Sequence, residues 1–474
     1  MKETLSLSLL FLLIISANAQ NKPEDFQTYR KNMLGEFQGF RSKVLDDYAK
    51  FLDGIWNDYE MCTGTKIRPF PKPKEQPVKK NDDPKPIPQN IIPQNIIPTN
   101  PIAEDNVPTL SPIAVPSTTW LQVDWCGLNF KLPEANISGD LNQLTKNNLI
   151  SYLEKVGNSN LVKTVMPQMV NIALAHNFND WCLFLLVESY IKKIKSNANY
   201  NTRNFICWYI LTGLGFDARL SVNGNNLFYL VPFKQLVYAR SYIKINDKPY
   251  YIWGEGSIDE NAGFSSPQVP DDVGNEINMV LTKPLKLPYL AKKYNHTFAG
   301  RTLSVEVNEH LIKVMKCFPQ MQIPAYALST GDNKMRSQVL IQMKEFIKGM
   351  NEFEAANFIL QFIQSFEYST DEEQFGYEKP FFIEETLYYP KCDCEDRSIL
   401  YHYLITQLLG RDVHLVHYPN HECTAVNFSQ KINADSYLYN GKQYVICDPT
   451  YIGASIGMCM PDYKNVKPEI DNIE

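Results

Sequence analysis

A cysteine, a histidine and an aspartate near the C-terminal end of the chain carry side chains that could do covalent chemistry together. Cys394 lies in KCDCEDRS, His421 begins HECTAVNF, and Asp448 lies in CDPTY. In nucleophilic catalysis by a thiol, an imidazole takes the thiol proton, the thiolate attacks a carbonyl carbon, and a carboxylate orients the imidazole. The types and order of these three residues therefore predict a nucleophilic site.

The segment around Cys394 predicts a helix that starts at the thiol. Apolar residues recur at helical spacing after Asp393, and Gly410 is placed to end the helix. The N–H groups at a helix start favour a thiolate. The flanking acids Asp393, Glu395 and Asp396 oppose the thiolate. A basic imidazole is therefore needed to activate the thiol.

The segments after this helix predict an antiparallel sheet. DVHLVHYP and HECTAVNF have the composition of strands, and SYLY and KQYVI flank Asn440-Gly441, a strong signal for a hairpin turn. His421 opens one predicted strand and Asp448 closes a later one. Adjacent antiparallel strands would bring these two ends together.

Three local blocks together resemble a known family. DCEDRS at a helix start, a histidine leading a strand and Asp-Pro-Thr ending a strand resemble the signature blocks of the transglutaminase-like superfamily, particularly its bacterial cysteine-protease-like members. The resemblance covers roughly residues 350–460. It implies an exported bacterial protein with an α+β, papain-like core, in which the helix bearing the cysteine packs on an antiparallel sheet. It implies Cys394 as nucleophile, His421 as base and Asp448 as orienting carboxylate.

The family also stabilises the oxyanion of the reaction with the backbone N–H of the nucleophile and with an upstream donor. Gln364 is the predicted donor and Gln361 the second choice. Cys392 departs from the family pattern, in which many relatives have glycine or a small polar residue at this position.

The resemblance implies an exported cysteine hydrolase that acts on peptide or amide bonds through a thioester acyl-enzyme. Its substrate would be a protein or peptide, and it needs neither a metal nor an organic cofactor. If a lysine amine resolved the thioester in place of water, the protein would be a cross-linking acyltransferase. A further alternative is a non-enzymatic binding or scaffold protein of the cell envelope on the same fold.

Two other arrangements compete for the same side chains. Cys392, Cys394, His421 and Cys423 are residue types that bind zinc, although the Cys-x-Cys spacing is cramped for one tetrahedral ion. Alternatively, Cys392 or Cys423 could form a disulfide in an oxidising compartment. A zinc ion would occupy the Cys394 thiol, whereas a disulfide of this kind would leave the triad possible but gated.

The N-terminal residues predict export. Residues 1–19 combine Lys2, an apolar run and an Ala-x-Ala triplet that predicts cleavage after Ala19. The protein is therefore expected to be secreted or periplasmic, and no later segment is apolar enough to span a membrane. With 46 Lys and Arg against 52 Asp and Glu, the net charge of -6 gives no attraction for nucleic acid.

The remaining chain divides by composition. Residues 20–66 predict an amphipathic helical region, because aromatic and aliphatic residues recur at helical spacing from Phe26 to Tyr59. Residues 67–119 hold 13 of the 30 prolines and predict an extended linker. Residues 257–345 predict a β-containing connector, and residues 346–474 the catalytic domain.

Residues 120–256 predict a degenerate copy of the C-terminal domain. RNFICWYILTGLGFDARL resembles RSILYHYLITQLLGRDVHL, and SYIKINDKPYYIWG resembles SYLYNGKQYVICD. Aligning the arginines and asparagines of these pairs puts Tyr200 where Cys394 stands and Gly254 where Asp448 stands. No histidine lies between His176 and His296. The copy is therefore predicted to serve packing or substrate binding.

Overall fold

The computed structural model describes residues 49–64, 119–268 and 274–471. The predicted signal peptide at 1–19, most of the N-terminal helical region at 20–66 and nearly all of the linker at 67–119 lie outside these residues. No helix within the described ranges has the length and hydropathy needed to cross a bilayer.

Helices and strands are mixed along the chain. The helices are α1 Lys146–Gly157, α2 Met166–His176, α3 Asp180–Ile194, α4 Tyr200–Gly213, α5 Glu309–Met315, α6 Ile323–Leu328, α7 Asn333–Phe346, α8 Glu352–Gln364, α9 Asp371–Phe375, α10 Ile383–Thr386 and α11 Cys394–Leu409. The strands are β1 Trp56–Tyr59, β2 Trp120–Trp125, β3 Leu128–Pro133, β4 Arg219–Asn223, β5 Asn226–Val231, β6 Tyr242–Ile245, β7 Lys248–Trp253, β8 Phe264–Pro267, β9 Ala291–Phe298, β10 Arg301–Asn308, β11 Glu367–Tyr368, β12 Lys391–Cys392, β13 Asp412–Tyr418, β14 His421–Asn427, β15 Ser436–Tyr439, β16 Lys442–Cys447 and β17 Glu469–Asp471.

Two larger sheets organise these elements, and every strand pair in them is antiparallel. The first sheet has the order β1-β8-β4-β5-β7-β6 and the second β15-β16-β14-β13-β17. Helices combined with antiparallel sheets are typical of an α+β protein, which confirms the predicted fold class at this level.

The two sheets share one connectivity. The order β6-β7-β5-β4-β8 of the first repeats as β15-β16-β14-β13-β17 in the second. In each sheet a two-residue turn joins the pair β4–β5 or β13–β14. A buried helix, α4 or α11, precedes each of these pairs. The resemblance between residues 120–256 and the C-terminal region therefore extends to strand order and turn length.

Local signals account for the helix and hairpin of the second unit. The backbone N–H of Asp393 donates to Oδ2 of Asp396 at 3.1 Å, so α11 begins at Cys394. Gly410 ends the helix with a left-handed φ of 62°. Between β15 and β16, Asn440 and Gly441 also have positive φ values, as a tight hairpin turn requires.

The helical prediction from Phe26 to Tyr59 is wrong at its C-terminal end. Residues 49–53 are helical, but Trp56–Tyr59 is strand β1 and pairs with β8. The N–H of Gly54 bonds to the carbonyl of Phe51, which closes the helix. The edge of the first sheet then offers backbone partners to the following residues. Residues 26–48 of the predicted helix lie outside the described residues.

The predicted boundary at residue 257 also differs from the structure. Strand β8 lies within the predicted connector, yet it pairs with β4 in the first sheet. The hairpin β9–β10 and helices α5 to α7 follow it, and β10 packs on α7. Residues from the first unit, the connector and the second unit share one buried hydrophobic cluster.

We expect His402, on α11, to make the protein less stable in acid. Burial lowers the pKa of His402 to about 4, against the opposing charge of Asp412 and with a smaller contribution from His414. The folded form therefore binds fewer protons than the unfolded chain below a pH of about 6.5, and folding free energy is lost as the pH falls toward 4, by at most about 3 kcal/mol. In urea titrations, His402→Leu should flatten this decline. An equally steep decline in the variant would contradict the prediction.

Candidate active site

The predicted nucleophile lies at the first residue of a buried helix. Cys394 begins α11 and is 1% exposed. Upstream, the backbone N–H of Phe381 donates to Oδ1 of Asp396 at 2.7 Å, which ties the preceding loop to the first helical turn. The partial positive charge of the helix start is therefore applied to a thiol that solvent barely reaches.

The predicted base lies at the start of a central strand. The turn between β13 and β14 consists of two residues, and Asn420 in it has a φ of 63°. His421 follows as the first residue of β14 and is 2% exposed. Its Nε2 lies 2.8 Å from Oδ2 of Asp448. Nδ1 of His421 is buried and has no hydrogen-bond partner among the described residues.

The predicted carboxylate follows the last residue of β16. Oδ1 of Asp448 accepts hydrogen bonds from the backbone N–H groups of Thr450 at 2.9 Å and Tyr451 at 3.2 Å. These donors and the imidazole compensate the carboxylate for its burial. Because the carboxylate faces Nε2, that nitrogen carries the ring proton and Nδ1 is left as the basic atom.

A contact between helix and sheet brings the thiol end of α11 to the imidazole end of β14. Oγ of Ser398, one helical turn after Cys394, donates to the carbonyl of Glu422 at 3.2 Å, and Glu422 follows His421 on the strand. The structure thus holds the three predicted residues at one end of the second unit.

The thiol itself is hydrogen-bonded to its neighbour on the chain. Sγ of Cys394 lies 2.9 Å from Oε2 of Glu395. A carboxylate at this distance accepts a hydrogen bond from the thiol, and its negative charge disfavours a second negative charge on the sulfur. In this arrangement the Glu395 carboxylate therefore counteracts the stabilisation of a Cys394 thiolate by the start of α11.

Tyr463 covers the imidazole and was not found from the sequence. Its ring stacks on His421, with the centroids 5.3 Å apart and the planes at 14°, and its hydroxyl donates to the carbonyl of Pro419 at 3.2 Å. Burial and then the charges of Cys394 and Asp448 raise the pKa of Tyr463 to about 12. The phenol is therefore neutral and shields the site from water. No local signal marks it, because it lies in the three-residue 3₁₀ helix Pro461–Tyr463, well after strand β16, and only the fold brings it to His421.

The structure corrects the role predicted for Gln364. Its Nε2 donates to the carbonyls of Asp448 and Ala454, both at 3.1 Å, and its Oε1 accepts from the N–H of Gly453 at 3.1 Å. Both amide protons are bound to backbone carbonyls and are not directed at an oxyanion. Gln364 instead holds the loop that carries Asp448. Among the described residues, the side chain of the second choice, Gln361, has no hydrogen bond that supports the role.

The four residues of the alternative zinc arrangement do not come together. Ligand atoms of His421, Cys423 and Asp448 lie within 4.8 Å of one another, as do those of Asp393, Cys394 and Glu395, but no such group in the described part of the chain joins Cys392 or Cys394 to His421. All ten cysteines are free thiols.

The neighbouring cysteines are poor nucleophiles. Burial raises the pKa of the Cys392 thiol to about 12. It also raises the pKa of Cys423 well above its usual value, with a further contribution from the Asp448 carboxylate. Both thiols therefore stay protonated at neutral pH, and neither competes with Cys394 as a thiolate.

The matching positions of the first unit lack this chemistry. The first residue of α4, the first residue of β5 and the residue after β7 correspond to the three site positions, and they are Tyr200, Asn226 and Gly254. Nδ2 of Asn204 donates to the carbonyls of Leu227 and Glu255, both at 2.7 Å. A Cβ atom at residue 254 would lie 2.8 Å from the Asn204 side chain. The first unit therefore has no room for a carboxylate there.

Comparison of the chain with protein-family models, with curated proteins and with solved structures finds no match.

We expect Gln364→Leu to destabilise the protein by about 2 kcal/mol, because it removes three hydrogen bonds that hold the loop carrying Asp448 and takes this donor from the buried carbonyl of Ala454. Gln361→Leu, in the turn before it on α8, is the matched control and should change the unfolding free energy little. Chemical denaturation of the two variants measures the difference. Equal stability of the two variants would contradict the positioning role of Gln364.

Proposed function

We propose that this protein is a cysteine hydrolase of peptide or amide bonds, with a papain-like core of the transglutaminase-like type and a site of action outside the cytoplasm. One observation carries the proposal. Across two adjacent strands, His421 and Asp448 form a buried hydrogen bond through Nε2, which leaves the basic Nδ1 at the end of the unit where α11 presents Cys394.

The first half of the proposed reaction forms a thioester. Nδ1 of His421 takes the Cys394 proton, and the sulfur attacks the substrate carbonyl carbon to give a tetrahedral oxyanion. The imidazolium then gives its proton to the leaving amine as the carbon–nitrogen bond breaks. Asp448 keeps the imidazole in the required tautomer and stabilises its transient positive charge.

The second half returns the free enzyme. His421 takes a proton from water, the hydroxide oxygen attacks the thioester carbonyl, and the carbon–sulfur bond breaks to release a carboxylic acid and the Cys394 thiol. A lysine amine entering in place of water would give a cross-linking acyltransferase by the same steps. The donor predicted at Gln364 is not available, so the N–H groups at the start of α11 are the proposed oxyanion donors.

Catalysis on this pathway requires a rearrangement at the thiol. The Cys394 proton is directed to Glu395, and both reactive residues are almost fully buried. A rotation of the Cys394 side chain away from the carboxylate would direct its proton to Nδ1 of His421. Substrate entry would also require the Tyr463 ring to move from the imidazole.

The same burial favours a second candidate, a binding protein in which the three residues are structural. The two functions differ in the reactivity of one sulfur. In a binding protein, Cys394 would be a buried thiol bonded to an acid, and it would react no faster than the other cysteines.

A thiol-directed probe separates the two functions. We expect iodoacetamide at neutral pH to label Cys394 at least about tenfold faster than Cys62, because a neighbouring base raises the thiolate fraction. His421→Ala should remove this advantage, and Asp448→Asn should reduce it. Peptide mapping by mass spectrometry gives the rate for each cysteine.

The hydrolase proposal also predicts turnover. A peptide library incubated with the protein should show cleavage that Cys394→Ala abolishes. Slow labelling of Cys394 that does not respond to His421→Ala, together with no cleavage, would refute the enzyme and support the binding protein.

Replacing Glu395 should increase the reactivity of Cys394. Glu395→Gln removes a negative charge 2.9 Å from the sulfur and should speed alkylation several-fold, because a neighbouring carboxylate no longer disfavours the thiolate. Asp462→Asn, an exposed acid beside Tyr463, is the matched control and should have a smaller effect. An unchanged or slower rate in Glu395→Gln would contradict the restraint assigned to the carboxylate.

A further inference from the structure

Cys126 occupies an unusual backbone position in the first unit. The hairpin β2–β3 turns through Cys126 and Gly127, whose φ values are 48° and 80°. Glycine, asparagine and aspartate favour left-handed positions in such turns, whereas other residues are disfavoured there. Cys126 packs against the hydrophobic core, but turn chemistry does not explain a cysteine at this position.

The turn lies against the end of helix α5. A Cβ atom placed on Gly127 would lie 3.2 Å from Cδ of Lys313, on the last turn of α5. Cys317 follows one turn later, and its Sγ lies 3.3 Å from the carbonyl of Lys313. The hairpin turn and the end of α5 therefore bring Cys126 and Cys317 to the same place.

Two indole hydrogen bonds hold the backbones of this region. Nε1 of Trp125, which precedes Cys126, donates to the carbonyl of Cys182 at 3.0 Å. Nε1 of Trp181, which precedes Cys182, donates to the carbonyl of Cys317 at 3.2 Å. The first bond links the β2–β3 hairpin to α3, and the second links α3 to the end of α5. The three elements together fix the positions of Cys126 and Cys317.

The two thiols interact directly. The Cys126 thiol hydrogen-bonds to the sulfur of Cys317 and lowers the pKa of Cys317, while the same contact and burial raise the pKa of Cys126. Both residues are partly exposed, whereas Cys182 is fully buried. Cys317 is therefore the better attacking sulfur of the pair and is open to small reagents.

We propose that Cys126 and Cys317 form a disulfide when the protein meets a small-molecule disulfide such as oxidised glutathione. The Cys317 thiolate attacks one sulfur of oxidised glutathione, which breaks its sulfur–sulfur bond and releases one glutathione thiolate. The Cys126 thiolate then attacks the mixed disulfide at Cys317 and releases the second glutathione thiolate. The two cysteines lose two protons and two electrons, and the oxidant gains both electrons and becomes two glutathione molecules.

The bond would join two parts of the chain that are far apart in sequence. Phe318, the residue after Cys317, packs edge-on against Phe382 with the ring centroids 5.2 Å apart, in the loop that precedes the candidate nucleophile. A bridge between Cys126 and Cys317 would close a long loop in the unfolded chain and so favour the folded state. It would tie the first unit to the connector that supports the second.

Peptide mapping of the full chain tests the proposal without any variant. After incubation with oxidised glutathione and alkylation of the remaining thiols, we expect most of the Cys126 and Cys317 peptides to appear as one linked species that reduction separates. The thermal unfolding midpoint should fall by several degrees on reduction. The midpoint of Cys126→Ser should not respond to reduction.

Cys62→Ser, which replaces another partly exposed cysteine, is the matched control and should retain the linked species. Separate alkylation of Cys126 and Cys317 after oxidation, or linkage of either to a different cysteine, would overturn the proposal. Because neither residue lies at the candidate active site, this result is independent of the hydrolase assay.

Discussion

The hydrogen bond between His421 and Asp448 is the interaction on which the candidate site depends. A buried carboxylate is costly unless it is compensated, and here an imidazole, two backbone N–H groups and the loop held by Gln364 surround it. The antiparallel pairing of β14 with β16 brings His421, the first residue of β14, close to Asp448, the residue that follows β16. The sheet, the loop after it and helix α8 therefore combine to hold one ring nitrogen in place.

The local parts of this arrangement were predictable from the sequence, and the long-range parts were not. Helix α11, strands β13 and β14 and the hairpin at Asn440-Gly441 follow from caps, alternation and turn residues, which act over a few positions. Tyr463 over the imidazole, the true partners of Gln364 and the pairing of β1 with β8 depend on residues distant in sequence. Local sequence patterns do not indicate those contacts.

The two units share one strand connectivity but carry different side chains at the matching site positions. In the second, the Ser398 hydroxyl holds β14. At the matching helix position of the first unit, the Asn204 side chain bonds to β5 and to the segment after β7 and fills the space beside Gly254. The same strand connectivity therefore presents side chains with acid–base chemistry in one unit and a closed amide network in the other.

The two-residue turn before His421 limits how the chain could change in evolution. Side chains alternate between the two faces of a strand, so one residue added between Tyr418 and His421 without a compensating bulge would rotate the imidazole to the opposite face of the sheet. Length variation in homologous chains should therefore be absent from this turn and should accumulate in the longer connection between β14 and β15, where no strand register is at stake.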